Sequence, residues 1–154
     1  HNRGKYERFD RALLPPLYLA YAMDPSDSGK IHSTVKERYF RGDAEVIAAS
    51  RKFAGFTEMA VAALAQNNRA SFADLVDQNF DLRRQLYGDE CLGRKNLEMV
   101  EIARAHTAAA KFPGSGGAIL VVPKPGVTTE ANLAEMRAAM QARGYVLIPL
   151  RTTD

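Results

Sequence analysis

An α+β fold with one antiparallel sheet is predicted by the order of short apolar runs and longer amphipathic segments. Strand-like runs bounded by turn residues occur at 17–22, 108–110, 119–122 and 145–150. Several helical segments lie between the first and second runs, and one lies between the third and fourth. This order corresponds to a split βαβ, or ferredoxin-like, plan with an expanded helical first crossover. We expect a four-stranded antiparallel sheet with helices on one face.

The expanded crossover contains four predicted helices, in which apolar residues recur at spacings of three and four. They cover residues 35–41, 43–65, 71–87 and 94–106. Ser33 or Thr34 is the expected N-cap of the first helix, which Gly42 closes. Ser71 is expected to start the third, with Asp74 three residues later in an arrangement like a capping box.

The last predicted helix begins at Thr128 or Thr129 and ends at Gly144. The final run contains Pro149, which lacks a backbone N–H and indicates either an edge position in the sheet or the end of strand pairing.

Composition indicates one globular domain, over residues 13–154, preceded by a polar connector, residues 1–12, from a missing upstream segment. No apolar run approaches the ~18 residues of a membrane span, so we expect no membrane partner. A single cysteine, Cys91, fits a reducing, cytoplasmic compartment. The histidines and this cysteine lack metal-ligand spacing, so no metal site is predicted. The net charge is +3, and Lys and Arg are interspersed with Asp and Glu along the chain. This distribution does not support a nucleic-acid partner.

Three glycines and a serine occupy four consecutive positions: Gly114, Ser115, Gly116 and Gly117. Apolar runs flank them on both sides, so they form a predicted hairpin tip and match neither a P-loop nor a dinucleotide fingerprint. Two interpretations are open. The segment is either a tight turn, for which glycine is common, or a loop whose N–H groups converge on an anion.

Two other segments carry candidate anion-binding groups. Ser28, Lys30 and His32 lie between the first strand and the first helix, where free N–H groups and a lysine favour an anion as much as ordinary capping. Arg83 offers paired donors suited to a carboxylate or phosphate. The alternative for its helix is a solvated face with Asp81 paired to Arg84.

The chain resembles the GHMP kinases, small-molecule kinases that include galactokinase, homoserine kinase and mevalonate kinase. Ala-Ala-Lys followed by Phe-Pro-Gly-Ser-Gly-Gly-Ala and a hydrophobic strand is similar to their third conserved motif. Across roughly residues 6 to 122 the chain also resembles the glucuronokinase branch of this family, whose members phosphorylate glucuronate at C1. The further segments that carry this resemblance are 14–19, 25–35, 79–84 and 88–93.

The resemblance implies the C-terminal half of a two-domain kinase that uses ATP and Mg²⁺. Gly114, Ser115, Gly116 and Gly117 would then contact the nucleotide phosphates. Ser28, Lys30, His32 and Arg83 become candidates for binding a sugar acid. The principal phosphate loop and the acidic residue near the acceptor hydroxyl belong to the N-terminal half of such kinases. No catalytic residue is therefore expected in this chain, and the 154 residues alone are expected to transfer no phosphate.

Pro113 departs from the family pattern, since many relatives have Thr or Ser there. The substitution removes a hydroxyl and a backbone donor from the loop. The alternative function from the residues alone is a non-catalytic ferredoxin-like ligand-binding or interaction module, because one fold serves many functions. A weaker third is a basic nucleic-acid binder.

Overall fold

The computed structural model describes residues 9–23 and 34–151. Predicted positions Ser28, Lys30, His32 and Ser33, and most of the connector, lie outside these ranges. A 3₁₀ turn at Arg11–Leu13 precedes the first strand. The strands and helices are β1 Tyr18–Ala22, α1 Val35–Phe40, α2 Ala44–Ala65, α3 Arg69–Tyr87, α4 Asp89–Leu92, α5 Arg94–Ala105, β2 Ala109–Lys111, β3 Ala118–Val122, α6 Glu130–Ala142 and β4 Tyr145–Pro149.

The four strands form one sheet in the order β2-β3-β1-β4, and every neighbouring pair is antiparallel. Tyr18 of β1 lies opposite Val121 of β3 on one side and Pro149 of β4 on the other. The strand containing Pro149 is an edge strand, as its proline predicts. The order and directions confirm the predicted ferredoxin-like plan.

Helix starts follow from local capping, with one correction to the sequence prediction. The Asp43 side chain accepts from the N–H groups of Glu45 and Val46, and this N-cap fixes the start of α2. The start predicted at Ser71 is wrong: the Asn68 side chain accepts from the Ser71 N–H, and α3 begins at Arg69. Asn68 lies one turn earlier and offers the same type of cap, which the Ser71–Asp74 spacing obscured.

The other helix starts include the predicted cap of α6, while α4 is a helix that was not predicted. Thr129 and Asn132 form a reciprocal capping box at the start of α6. The neighbouring Thr128 hydroxyl instead donates to the Thr107 carbonyl at 2.8 Å. Thr34 occupies the N-cap position of α1 but makes no side-chain cap bond. The four-residue helix α4 was not predicted, because a helix this short carries no period.

The main core lies between one face of the sheet and helices α3, α5 and α6. The sheet contributes Ala20, Ile119 and Leu147, which are opposite one another in the register. The helices contribute large side chains that are almost fully buried: Phe80, Met99, Val100, Met136 and Met140. The loop residue Phe112 joins the same cluster, so the hairpin begins in the core.

Helix α3 also covers the β2 edge of the sheet. Ala73 and Val76 pack with Ala109 and Val122, whose side chains point to the face opposite the main core. One oxygen of Asp77 accepts from the Ala110 N–H at 3.1 Å, which satisfies a backbone donor on an edge strand. This helix therefore fixes the position of β2 and of the loop that follows it.

No helix in the ranges 9–23 and 34–151 has the length and apolarity that crossing a membrane requires.

Candidate functional site

The glycine-rich segment is a hairpin tip between β2 and β3, as predicted, and it is accessible. Pro113, Gly114, Ser115 and Gly116 are all exposed. Phe112, immediately before them, is only 2% exposed. The loop thus projects to the surface from an anchored base, and nothing in the described part of the chain covers it.

Three consecutive N–H groups at the tip are available to a ligand. Those of Gly114, Ser115 and Gly116 donate to no acceptor among the described residues. Backbone donors presented by glycine-containing turns are a common means of binding anionic oxygens. Positive φ angles at Gly116, +134°, and Gly117, +81°, explain the need for glycine at these two positions.

Asn96 of α5 braces the loop from below. Its Oδ1 accepts from the Gly117 N–H at 2.9 Å, and its Nδ2 donates to the Leu92 carbonyl at 2.8 Å. The side chain is 8% exposed, and it is the one buried polar residue in the described ranges. A Cβ at Gly116 would lie 3.1 Å from Nδ2, so glycine also permits this close approach.

Sequence reasoning missed Asn96, although a signal was present. The residue stands in line with Met99, Val100 and Ala103 on the buried side of α5. An amide in an apolar stripe needs hydrogen-bond partners, because burying it unpaired is unfavourable. The hydrogen-bond partners of Asn96 are the Gly117 N–H in the glycine loop and the Leu92 carbonyl.

Arg83 lies beside the base of the loop. Its Cζ is 4.8 Å from the centroid of the Phe112 ring and 5.4 Å from that of Tyr87. Phe112 is in turn held edge-on against Phe80, with the two centroids 5.8 Å apart. These cation–π contacts position the guanidinium without using its N–H groups.

Lys111 is the second cation at this base. Its Nζ donates to the carbonyl of Phe112 at 2.7 Å, and the side chain is partly buried. Burial lowers the pKa of Lys111 below its ordinary value, and the nearby charge of Arg83 lowers it further. Neither Arg83 nor Lys111 forms an ion pair with a carboxylate of the described chain.

The neighbouring arginines serve a different purpose. The predicted alternative pairing of Asp81 with Arg84 does not form. Arg84 instead donates to both oxygens of Asp89, at 2.6 and 2.7 Å, and Arg104 reaches Asp81 at 2.7 Å. Asp81 of α3 and Asp89 of α4 are thereby paired with other arginines, and the N–H groups of Arg83 have no carboxylate among the described residues.

The predicted positions Ser28, Lys30 and His32 fall outside the described ranges. The chain leaves β1 next to the glycine loop, however, because the Ala22 N–H donates to the Gly117 carbonyl at 3.4 Å. Residues 9–23 and 34–151 contain no group of three His, Cys, Asp or Glu side chains able to hold a metal ion.

Two curated plant proteins match nearly the whole chain. It is 44% identical over 148 residues to a probable glucuronokinase 2, and 42% identical over 148 residues to glucuronokinase 1, both from Arabidopsis thaliana. The chain is therefore similar over most of its length to two proteins named as glucuronokinases. Each match covers 96% of this chain, which spans 40% of the length of either relative. No protein-family model matches.

A solved structure shares the fold of this chain. Mevalonate kinase from L. major, crystallised with R-mevalonate, is similar with a TM-score of 0.63 at 16% identity. The match covers 84% of this chain and 39% of that one. It shows the fold alone, and it agrees with the predicted resemblance to the GHMP kinases.

Proposed function

We propose that the chain is the C-terminal half of an ATP-dependent sugar kinase that converts glucuronate and ATP to glucuronate 1-phosphate and ADP. The observation that carries the proposal is the exposed tip with three consecutive unpartnered N–H groups, from Gly114 to Gly116. Its support is the identity to two proteins named as glucuronokinases. On this proposal residues 1–12 connect to an N-terminal domain and residues 13–154 form the second domain of a cytoplasmic enzyme.

The loop suits the electrostatic part of phosphoryl transfer. That reaction depends on positioning and on stabilising charge over the transferred group. Fixed backbone donors do this efficiently, because they need little reorganisation as charge develops. Gly114, Ser115, Gly116 and Gly117 would contact the nucleotide phosphates, with Gly117 held in place by Asn96.

ATP and Mg²⁺ fit the chain to different degrees. The loop donors match phosphate oxygens, whereas the described residues offer no ligand set for a magnesium ion. Mg²⁺ neutralises phosphate charge in kinases of this type. No step in this chain is assigned to it.

The sugar acid is proposed to lie near Arg83 and the segment containing Ser28, Lys30 and His32. Arg83 adjoins the base of the loop, and that segment follows β1 where Ala22 meets Gly117. A donor loop and a cationic group in proximity would hold the phosphate and carboxylate ends of two substrates.

The test is turnover by the full-length protein with ATP, Mg²⁺ and glucuronate, followed by coupled detection of ADP and by mass spectrometry of the sugar phosphate. We expect glucuronate to be phosphorylated at C1 and glucose to be a poor substrate. The 154-residue chain alone should give no turnover. Full-length protein that releases no ADP with glucuronate would contradict the proposed substrate, and turnover by the isolated chain would contradict the proposed division of labour.

A further inference from the structure

We propose that Arg83 and Lys111 together form a two-cation site for the oxygens of a single anionic group at the base of the glycine hairpin. Phe112 is common to both. Its ring lies under the Arg83 guanidinium, and its carbonyl accepts from Lys111 Nζ.

The guanidinium is positioned in a way that leaves its donors open. Contacts of Cζ with the rings of Phe112 and Tyr87 position the guanidinium without occupying any of its N–H groups. Arg83 makes no hydrogen bond to any described residue, and its Nε is buried without a partner. A buried donor left unpaired in a folded protein is unfavourable, so it indicates a group that a ligand completes.

Lys111 adds a second charge, for which residues 9–23 and 34–151 supply no counter-ion. Its one hydrogen bond, to the Phe112 carbonyl, leaves two ammonium protons for other acceptors. Holding two like charges together in a partly buried place is unfavourable, as the lowered pKa of Lys111 reflects. An anion bridging them would remove that repulsion.

The contrast with adjacent arginines argues against a general surplus of cations. Arg84 follows Arg83 directly and pairs with Asp89, and Arg104 pairs with Asp77 and Asp81. Carboxylates are therefore abundant around α3, yet none in the described part of the chain pairs with Arg83 or Lys111. Arg83 and Lys111, beside the loop, are therefore cations without a carboxylate partner among the described residues.

The occupant has two possible sources with the same oxyanion chemistry, and its identity rests on the proposed function. It is the carboxylate of the sugar acid or a phosphate of the nucleotide. Lys111 is three residues from Gly114, so their Cα atoms are at most about 11 Å apart. A nucleotide held at the loop and a sugar acid held beside Arg83 would therefore both lie near the pair.

The experiment compares Arg83→Gln and Lys111→Gln in the full-length protein with the matched control Arg84→Gln. We expect each of the first two to raise one KM roughly 10- to 100-fold, because each loses a hydrogen bond to a charged group. A rise in the KM for glucuronate identifies the carboxylate, and a rise in the KM for ATP identifies the phosphate. Arg84→Gln should change neither. Folded variants with both constants unchanged would overturn the site.

A second measurement keeps the site testable if no sugar is phosphorylated. The Nε–H signal of Arg83, assigned by its loss in Arg83→Gln, is followed by NMR while glucuronate or pyrophosphate is added to the full-length protein. A saturable shift with either anion, absent with glucose and abolished in Lys111→Gln, supports the site even where the kinase assignment fails. No shift with either anion refutes it.

Discussion

Arg83 and Arg84 are consecutive residues of one helix, yet their surroundings are opposite. Two nitrogens of Arg84 donate hydrogen bonds to the two oxygens of Asp89, and this carboxylate neutralises the guanidinium. Arg83 lies over the rings of Tyr87 and Phe112 and has no carboxylate partner among the described residues. A carboxylate both positions an arginine and occupies its donors, whereas aromatic rings position it and leave the donors free.

The same difference separates two larger parts of the molecule. Around Asp77, one carboxylate accepts from the Ala110 N–H and forms ion pairs with Arg104 and Lys124. Around the hairpin, three N–H groups have no acceptor among the described residues, and neither Arg83 nor Lys111 has a carboxylate partner there. The first part holds β2 against α3, and the second is the part for which we propose a ligand. Substitutions in the two parts should therefore affect different properties.

Gly116→Val should have the largest effect. The new side chain would meet Asn96 Nδ2 at about the 3.1 Å found for a Cβ, at a φ of +134° that valine rarely adopts. We expect kcat/KM of the full-length protein to fall roughly 100-fold through displacement of the loop. The matched control is Gly126→Val, which has a φ of +71° but open space around its Cβ. Equal losses in both variants would show that the hairpin has no special role.

Asn96→Leu should have an intermediate effect on both stability and binding. It leaves the Gly117 N–H and the Leu92 carbonyl without their partner, which should lower the free energy of unfolding by about 1–3 kcal/mol. The loosened loop should also raise the KM for ATP. Asn132→Ala, which removes the α6 capping box, should lower stability by about 1 kcal/mol with no change in that KM. Chemical denaturation and steady-state kinetics measure the two effects, and equal KM values for both variants would argue against a loop-positioning role.

Arg84→Gln should have the smallest effect, and that effect should depend on pH. Arg84 lowers the pKa of Asp89, so the folded state favours the ionised carboxylate. The stabilisation is present above the usual Asp pKa of about 4 and is lost as pH falls through the lowered value. The Tm difference between wild type and Arg84→Gln should thus be seen at pH 7 and vanish in acid. A difference that persists at low pH would assign it to packing.

Much of the fold could be predicted because it depends on local patterns. The alternation of apolar runs and amphipathic helices placed all four strands, and the Pro149 prediction of an edge strand is confirmed. The start of α3 was wrong, since two capping sequences lie within one turn. Helix α4 was missed because four residues between Gly88 and Gly93 show no period.

Only the glycine-rich part of the candidate site could be predicted from the composition of the sequence. Three glycines and a serine indicated the hairpin, and the resemblance indicated its role. Asn96 and Lys111 were not selected, because an amide and a lysine are ordinary on a helix and a strand end. Their importance comes from contacts between residues far apart in sequence, such as the 2.9 Å bond from Gly117 to Asn96.

The sequence by itself determined the order of strands and helices, the position of the hairpin and the resemblance to a kinase family. These are properties of short segments, where hydrophobic spacing and backbone preference act locally. Only the tertiary structure decided which arginine is neutralised and which stays open. That choice depends on which carboxylates and rings the packing of α3 against β2 and α5 brings within reach, and spacing along the chain does not contain it.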